Sequence, residues 1–565
     1  MKRDPRALAN AEFDLLVIGG GAFGAAAAWD ASMRGLRTAL IERQDFGGGA
    51  SAECFKMVHG GIRYLQHGDL RRLRSSCQER SAFLRIAPHL VEPLPIVIPT
   101  YGHGRSGKAF LGCGMYLYDL LTLDRNAGIP DRTRHIPRTR LLSRAEALNL
   151  FPDLEPRQLT GAAIFNDGQM YNAARLVLAL VKSAARAGAV VCNYAEATEF
   201  LWQGERVTGA RVRDRLGDGE FDLRARLVLN AAGPGAEYLL QGNRRFGDWQ
   251  RGHFSRDAYF IVNRPPTSRH ALALAGQSRD RDALVSRTAR HLFAVPWRDY
   301  TLIGVWHRVY SGHPDEAAID EAELASWLAE MNGSHPNLDL RREEIVSTHC
   351  GLVPFGDGAS TVDELSFGKE SRFIDHRRAH GVDGLVTLIG IRYTTARGDA
   401  GKALDLLLQQ WSGRPRSAAT ARTALVGGEI EDFTALRTAA QQRRPATITA
   451  RSLDALLRNH GTEYHMLVDR AGAADSAARR LGRSDTIAAE VMYAVEREMA
   501  VRLEDVVLRR TDLGSGAHPG RGALEHACTL MQQLLGWSLQ RCTEELAATE
   551  QTLRLRQATA LERAA

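Results

Sequence analysis

Apolar positions first bunch at residues 13–18 (FDLLVI), and three glycines, Gly19 to Gly21, break the run at once. An Ala-rich helical stretch continues to Arg34, Gly35 ends it, and residues 38–41 (TALI) read as a second strand closing at Glu42. Strand, glycine turn, helix and strand make one βαβ unit of about 30 residues. Further on, the pattern predicts a helix over 69–86 stopped by Pro88, then an amphipathic helix over 176–187 leading into a strand at 188–192. Segments 206–213 and 219–226 flank Leu216-Gly217-Asp218 and predict a β-hairpin. A buried strand at 227–230 runs into a glycine turn at 231–235, strands at 259–262, 291–295 and 301–305 make 250–355 strand-rich, and a strand at 385–389 precedes Gly390 and a helix through Leu408. Composition turns to Gly, Pro, Ser and Arg at 412–418, and beyond Thr434 only helical patterns follow. Among these Ile487, Val491, Val495 and Met499 form a core stripe at fourfold spacing.

Composition narrows the class. The chain has 565 residues, 44% hydrophobic and 25% charged, enough for three or four structural units and too apolar for disorder. A net charge of +7, spread along the chain, does not identify a nucleic-acid binder. Seven cysteines without a CxxC pair exclude zinc knuckles and a secreted disulfide framework, and His89, His103 and His526 have no partners at metal-ligand spacing, so no metal is expected. Residues 102–107 (GHGRSG) do not fit a P-loop. The first residues lack the apolar core of a signal peptide, and the charge-free run between Asp14 and Asp30 is too short to span a bilayer. The expectation is a cytoplasmic protein, with peripheral contact at the inner face of the cytoplasmic membrane left open; a homodimer is the base-rate oligomer.

Two segments carry chemistry. In Gly19-x-Gly21-x-x-Gly24, the first glycine permits the tight turn, the second close approach to a pyrophosphate, and the third close helix–strand packing. Glu42, 18 residues beyond Gly24, stands where an acid accepts hydrogen bonds from an adenosine ribose. Two further glycine turns, at 231–235 and Gly390, let distant segments converge on one long cofactor, and no second fingerprint with a trailing acid appears; non-covalent FAD alone is expected. The second segment is Lys56-Met57-Val58-His59-Gly60-Gly61-Ile62-Arg63-Tyr64. Its glycines allow backbone approach to a planar ring, while His59 supplies a base, Arg63 a fixed cation and Tyr64 a hydroxyl.

The chain resembles the FAD-dependent glycerol-3-phosphate dehydrogenases, within the D-amino-acid-oxidase-like flavoproteins. The resemblance rests on residues 14–43, KMVHGGIRYLQHGDL, RLVLNAAGPGA, PWRDYTLIGVWHRVYSGHP, EEIVSTHCGLVPF, GIRYTTARGDAGKAL and the C-terminal VMYAVEREMAVRLEDVVLRRTDL, nearly the whole chain in order. It implies an α/β (α+β) fold: a Rossmann-like FAD-binding domain (1–80, 155–245 and 375–412), a mainly antiparallel substrate-binding domain (81–154 and 246–374) and a helical cap (413–565). It also implies hydride transfer to FAD from a secondary alcohol of a small anionic polyol such as glycerol 3-phosphate, with a quinone or oxygen as acceptor. The substrate-side residues would be His59, Arg63, Tyr64 and Arg392. FAD would be held by Gly19, Gly21, Ala22, Phe23, Gly24, Glu42, Arg43, Lys56, Val58, His59, Glu196, Ala232, Gly233, Gly390, Arg392, Tyr393, Thr394 and Thr395.

The departures cluster on segments that face substrate or flavin in that family. Its G-x-R-P arginine is Val353, its GGKLTT segment reads Gly390-Ile391-Arg392-Tyr393-Thr394-Thr395, and its GTTD turn reads Gly304-Val305-Trp306-His307. A Ser-rich stretch before the lysine has become Ala52-Glu53-Cys54-Phe55, and Asp167 to Tyr171 with Asn172 resembles a turn near the substrate domain. Trp306, His307, Arg308 and Val353 are therefore pocket candidates, with Arg392 or Arg308 positioned to replace the lost charge. Two alternatives stand beside alcohol oxidation: oxidation of an amine, amino acid or hydroxy acid, and a non-catalytic flavin-binding protein.

Overall fold

The computed structural model describes all residues except 67, 105–106, 218, 248, 250–253, 280–288, 355–369, 412–416 and 558–565; at 63, 66, 277–279, 289–290 and 354 it describes the backbone alone. Strand β1 (Glu12–Ile18) lies at the centre of an eight-stranded sheet, parallel to β2 (Thr38–Ile41) on one side and to Glu220–Asn230 on the other. Val190–Cys192 extends the parallel set beyond β2, and Leu385–Ile389 extends it beyond Glu220–Asn230. Buried on both faces, these strands read as continuous apolar runs rather than alternations. Helix α1 (Ala22–Met33), with Ala173–Arg186 and Ala396–Leu408, covers one face, where the Ala-rich surface of α1 lets three helices approach closely.

The hairpin expected around Leu216 forms between Arg206–Asp214 and Glu220–Asn230. The second arm does not stop at 226, because the same strand continues as the buried segment 227–230 and so joins the hairpin to the parallel sheet. A second, nine-stranded sheet is mainly antiparallel, with one parallel pairing between Val91–Tyr101 and Ala271–Arg279. Its members include Leu159–Met170 and Met57–Val58, residues expected in the first domain, while Arg372–Asp375 pairs into the first sheet. Both differences are strand exchanges at the seam between the sheets, where sequence order and layer part company.

Among the described residues beyond 417, regular structure is wholly helical. The Ile487 stripe is buried at Ile487 and Val491, but its helix, Ala488–Arg497, ends before Met499, which takes a left-handed backbone (φ 56°) and packs into the core of the first sheet. Charged pairs fasten this helical region to the first sheet. Asp45, fully buried, receives Arg510 through two bonds (2.6 and 2.7 Å), Arg509 (2.7 Å) and the Asn193 amide (2.9 Å). Glu498 likewise binds Arg175 (2.6 Å) and Lys182 (2.9 Å).

Candidate active site

One cavity of about 2130 Å³ runs along the seam between the sheets, lined at one end by the β1–α1 turn and at the other by the antiparallel sheet. The turn is built by steric necessity. Gly19 sits at φ 107°, and a Cβ there would lie 2.6 Å from the Ala231 carbonyl oxygen; a Cβ on Gly24 would lie 1.8 Å from the Gly19 oxygen. Gly21 caps α1 without any side-chain hydrogen bond, so the first-turn N–H groups, apart from Ala22 bonded to Ser51 Oγ (3.0 Å), are left for an anion. At the end of β2, Glu42 accepts the N–H of Gly20 (2.7 Å) on Oε2 and that of Gln44 (2.8 Å) on Oε1, which fixes its carboxylate beside the turn. Burial raises the Glu42 carboxyl above its ordinary range, against the pull of these two amides.

These features fit FAD. A fixed acid, an uncapped helix start and glycine contacts that no side chain would tolerate suit adenosine ribose and pyrophosphate, and the cavity continues past Ala232 and Gly233 to Gly390, Ile391 and Thr394. Gly390 is itself pressed against Phe23, whose ring carbons would lie 2.2 Å from an added Cβ.

At the second-sheet end His59 lines the cavity with its ring 53% exposed. Its backbone N–H donates to Thr394 Oγ1 (2.9 Å), and its Nδ1 stands 3.6 Å from Asp167 Oδ2. Asp167 is buried, and its Oδ1 accepts from Gly60 N–H (2.5 Å) and from Arg80 Nη1 (2.8 Å). Burial works to raise the Asp167 carboxyl, but His59, Arg80 and the Gly60 amide together hold it below the ordinary carboxylate range, so it stays ionised beside the imidazole. The glycine at position 60 is required from behind: a Cβ there would lie 2.0 Å from Arg80 Nη1 and 2.4 Å from Tyr118 OH.

Arg392 donates to Tyr64 OH (2.8 Å) and Ser76 Oγ (3.1 Å), and its guanidinium lies 5.1 Å from the centre of the Tyr64 ring. It forms no ion pair among the described residues, although the Asp69 carboxylate in the same cavity lining feels its charge, and its buried Nε makes no hydrogen bond there. His307 Nδ1 meets Asp257 Oδ1 at 2.7 Å, and Val353 adds an uncharged wall. The side chain of Arg63 lies outside the described residues; its backbone opens the short helix Arg63–Gln66.

Several expected residues stand elsewhere. Strand Tyr300–Tyr310 alternates faces, so Val305 and His307 point to the cavity while Trp306 and Arg308 point away. Trp306 stacks between Phe260 (5.5 Å) and Trp327 (5.0 Å) in the core behind the sheet, and Arg308 pairs with Glu323 (2.9 Å). Neither lines the pocket. Lys56 is buried behind the cavity wall, its amine donating to Ala52 O (2.9 Å) and Tyr259 OH (2.9 Å), and burial lowers its pKa. It fastens the 50s loop. Val58 is fully buried opposite Gly168, Glu196 lies near Arg215 (3.9 Å), and Thr395 Oγ1 donates to Asp399 (2.7 Å); none of the three lines the cavity. Arg43 lines it and pairs with Asp315 (2.9 Å), while the Tyr393 hydroxyl donates to Ala173 O (3.1 Å).

Sequence reasoning left Asp167 as a turn residue and passed over Asp257 and Ser51. Asp167 had a signal, its strand neighbour Gly168 facing Val58, but strand pairing is not readable from one chain. Glu53, noted only as a departure, also reaches the cavity wall, binding His349 Nδ1 (2.6 Å) and Arg556 (2.6 Å) from the last helix.

Comparison with known proteins agrees with this geometry. Residues 14–398 match the FAD dependent oxidoreductase family, and residues 418–542 match the C-terminal domain of alpha-glycerophosphate oxidase. A glycerol-3-phosphate dehydrogenase of Synechocystis is 30% identical over 557 residues, covering 95% of each chain. The human mitochondrial glycerol-3-phosphate dehydrogenase is 31% identical over 563 residues, 95% of this chain and 72% of its own. Among solved structures, the glycerol-3-phosphate dehydrogenase of Bacillus halodurans complexed with FAD superposes with a TM-score of 0.75 at 23% identity, covering 98% and 96% of the two chains. A glycine turn, an acid at the end of β2, a two-sheet seam cavity and a helical C-terminal domain, matched over nearly the full length, place this chain in the family of FAD-dependent glycerol-3-phosphate dehydrogenases.

Proposed function

We propose that the protein oxidises the secondary alcohol of sn-glycerol 3-phosphate, or of a closely related phosphorylated polyol, to the ketone. The observation that carries this reading is Arg392. It is a cation in the cavity wall with no ion pair among the described residues and a buried Nε without a hydrogen bond, beside the His59–Asp167 pair. Only Asp69, at a distance, shares its charge, so it can take an anion, and its planar fork suits phosphate. Gly19, Gly21, Ala22, Glu42, Ala232, Gly390 and Thr394 would hold FAD, which when bound accepts the hydride from the carbinol carbon. His59 takes the hydroxyl proton on the ring nitrogen that Asp167 does not face, and the Asp167 carboxylate stabilises the imidazolium that results. Tyr64, held by Arg392, orients the same oxygen. The names of the relatives support the substrate class, and Val353 shifts the task of binding the anion onto Arg392.

Electrons then leave to an external acceptor, a quinone or oxygen. Contact with a membrane surface is supported by one exposed apolar patch. Leu70, Phe110, Tyr116, Leu117, Leu120 and Leu123 are 46–66% exposed, with Arg71 and Lys108 at its margin. No helix among the described residues is long and apolar enough to cross a membrane.

Anaerobic addition of sn-glycerol 3-phosphate to the purified holoenzyme tests the activity: prompt bleaching of the flavin spectrum is expected. A flavin that stays oxidised, or one bleached by an amine with release of ammonia, would overturn the reading.

A further inference from the structure

The cavity is about twice the upper end of the roughly 300–1,000 Å³ usual for small-ligand pockets. The glycine turn and Glu42 account for one end of it. Beyond His59 an arm continues that neither a dinucleotide fingerprint nor a three-carbon substrate explains.

This arm follows the pairing of Val91–Tyr101 with Leu159–Met170. In register, Leu94 faces Asp167, Ile96 faces Phe165 and Ile98 faces Ala163. Asp167, Phe165 and Ala163 share one face of the strand, so the arm starts at the partner of His59 and runs about 13 Å along the sheet. Its second wall is the helix Lys108–Leu121, laid alongside in register. Tyr118 OH donates to Gly60 O (3.4 Å), Met115 packs in the same cluster as Ile96 and Phe165, and Gly112 abuts Leu141, whose strand partner is Ala163. Along this stretch Ile96, Ile98, Leu111, Phe165 and Phe293 present hydrocarbon, and past Ile98 the lining turns polar at Tyr101, Glu155, Arg157 and Gln158. Phe110 and Leu117 line the cavity and are each 46% exposed, so its apolar wall continues into the exposed patch of the same helix.

We propose that this arm binds a hydrocarbon chain carried by the substrate itself, making the preferred substrate an amphiphilic polyol phosphate with an alkyl or acyl group on the hydroxyl distal to the phosphate. The inference rests on the alcohol-oxidation reading above and deepens it. Two observations select a chain on the substrate over one on the electron acceptor. The arm begins at Asp167 and His59, so a ligand lying in it presents its polar end to the proposed proton acceptor. Val353 is an uncharged wall of the same cavity, which suits a ligand whose binding energy is more apolar and less ionic.

The experiment follows the reductive half-reaction alone, by anaerobic flavin bleaching of the holoenzyme, so no electron acceptor is present. sn-Glycerol 3-phosphate is compared with its 1-O-ethyl, 1-O-butyl and 1-O-hexyl ethers, in wild type and in Gly114→Trp. Gly114 lines the arm one helical turn from Tyr118, and a Cβ there meets nothing within 4 Å, so a ring fills the arm without disturbing the core. The expected result is a gain in apparent affinity of about fourfold per added methylene, the equivalent of ~0.8 kcal/mol per buried CH₂. That gain disappears in Gly114→Trp while bleaching by the parent substrate is unchanged. A flat response to chain length, with the parent still active, would overturn the arm's assignment and leave the reaction standing; so would a chain-length gain that survives Gly114→Trp. A flat response, together with slowed reoxidation of Gly114→Trp when a long-chain quinone is mixed in a separate step with the reduced enzyme, would overturn the assignment and give the arm to the acceptor. Failure of every alcohol to bleach the flavin would overturn the underlying reaction, and this inference with it.

Discussion

His59 and Asp167 divide two duties that substitution can separate. The His59 ring is half-exposed, and the bond that anchors its backbone, N–H to Thr394 Oγ1, does not use the side chain. His59→Ala is therefore expected to slow flavin reduction about 10²–10⁴-fold, the usual contribution of a positioned acid–base group, while the melting temperature and flavin content stay as in wild type. Near-normal bleaching in a folded His59→Ala protein would remove His59 as the proton acceptor. Asp167→Asn differs in kind, because Arg80 is fully buried and Asp167 is its carboxylate partner. Breaking such a pair from one side costs about 3–5 kcal/mol, so this variant should lose stability as well as rate, read together by denaturant midpoint and bleaching. Local spacing made the glycines, Glu42 and His59 legible in the sequence, since each sits within one βαβ unit or one loop. Asp167 was not, because it reaches His59 only through the pairing of Val58 with Gly168. Trp306 and Arg308 were misplaced for a related reason: a run of strand residues shows that faces alternate but not which face meets the cavity.

Among the elements, the β1–α1 turn is the least tolerant. A Cβ on Gly24 would overlap the Gly19 oxygen at 1.8 Å, so Gly24→Ala must push α1 away from the sheet. The expected outcome is loss of visible flavin absorbance from purified protein, with any folded remainder binding FAD too weakly to survive gel filtration; retained stoichiometric flavin would mean the turn relaxes at little cost. The helix Ala488–Arg497 predicts a pH effect. Glu490 is buried, its Oε1 accepts the Ile487 N–H (2.9 Å), its Oε2 has no hydrogen bond among the described residues, and His460 Nε2 stands 4.0 Å away. Burial pushes this carboxyl up to about 8. The folded state thus holds a proton that the unfolded chain releases near pH 4.3. Stability is fully present below that value and falls as pH rises toward 8, by about 1.4 kcal/mol per unit at most. Glu490→Gln keeps the cap and removes the titration, so its melting temperature should decline less than wild type between pH 5 and 8; parallel declines would show that Glu490 is ionised in the fold. Periodicity found this helix and the buried Val491, but not its end. The fourfold spacing runs on to Met499, where the left-handed backbone is set by packing against another sheet rather than by local propensity.

At the scale of the molecule, the helical C-terminal region and the cofactor turn are joined through Asp45. That carboxylate lies three residues beyond Glu42, takes four hydrogen bonds from Arg509, Arg510 and Asn193, and is followed by Gly47, whose N–H donates to Gly20 O (3.0 Å) in the glycine turn. Burial raises the Asp45 carboxyl, but Arg510 and Arg509 overcome it and hold it below its ordinary value, so the clamp is ionic at neutral pH. Three segments distant in sequence therefore meet on one loop. The shift at 412–418 and the helical patterns beyond it were readable along the chain, and the FAD-binding and antiparallel regions were implied by the resemblance; this junction was not legible, because residues 45 and 510 have no common periodicity. The arrangement predicts that cap and cofactor stabilise one another. FAD binds only the folded turn and should raise the melting temperature of the whole chain by mass action. Asp45→Asn leaves the buried Arg510 guanidinium without its carboxylate, while Arg509 keeps Asp505 (2.7 Å), and should cost about 3–5 kcal/mol. Because the lost bonds hold the loop that bonds Gly20, the same variant should also release FAD faster on dilution, measured by the recovery of free flavin fluorescence. A lowered melting temperature with unchanged flavin release would show that the clamp holds the cap alone, and that the turn keeps its shape through β1 and β2 without help from the helical region.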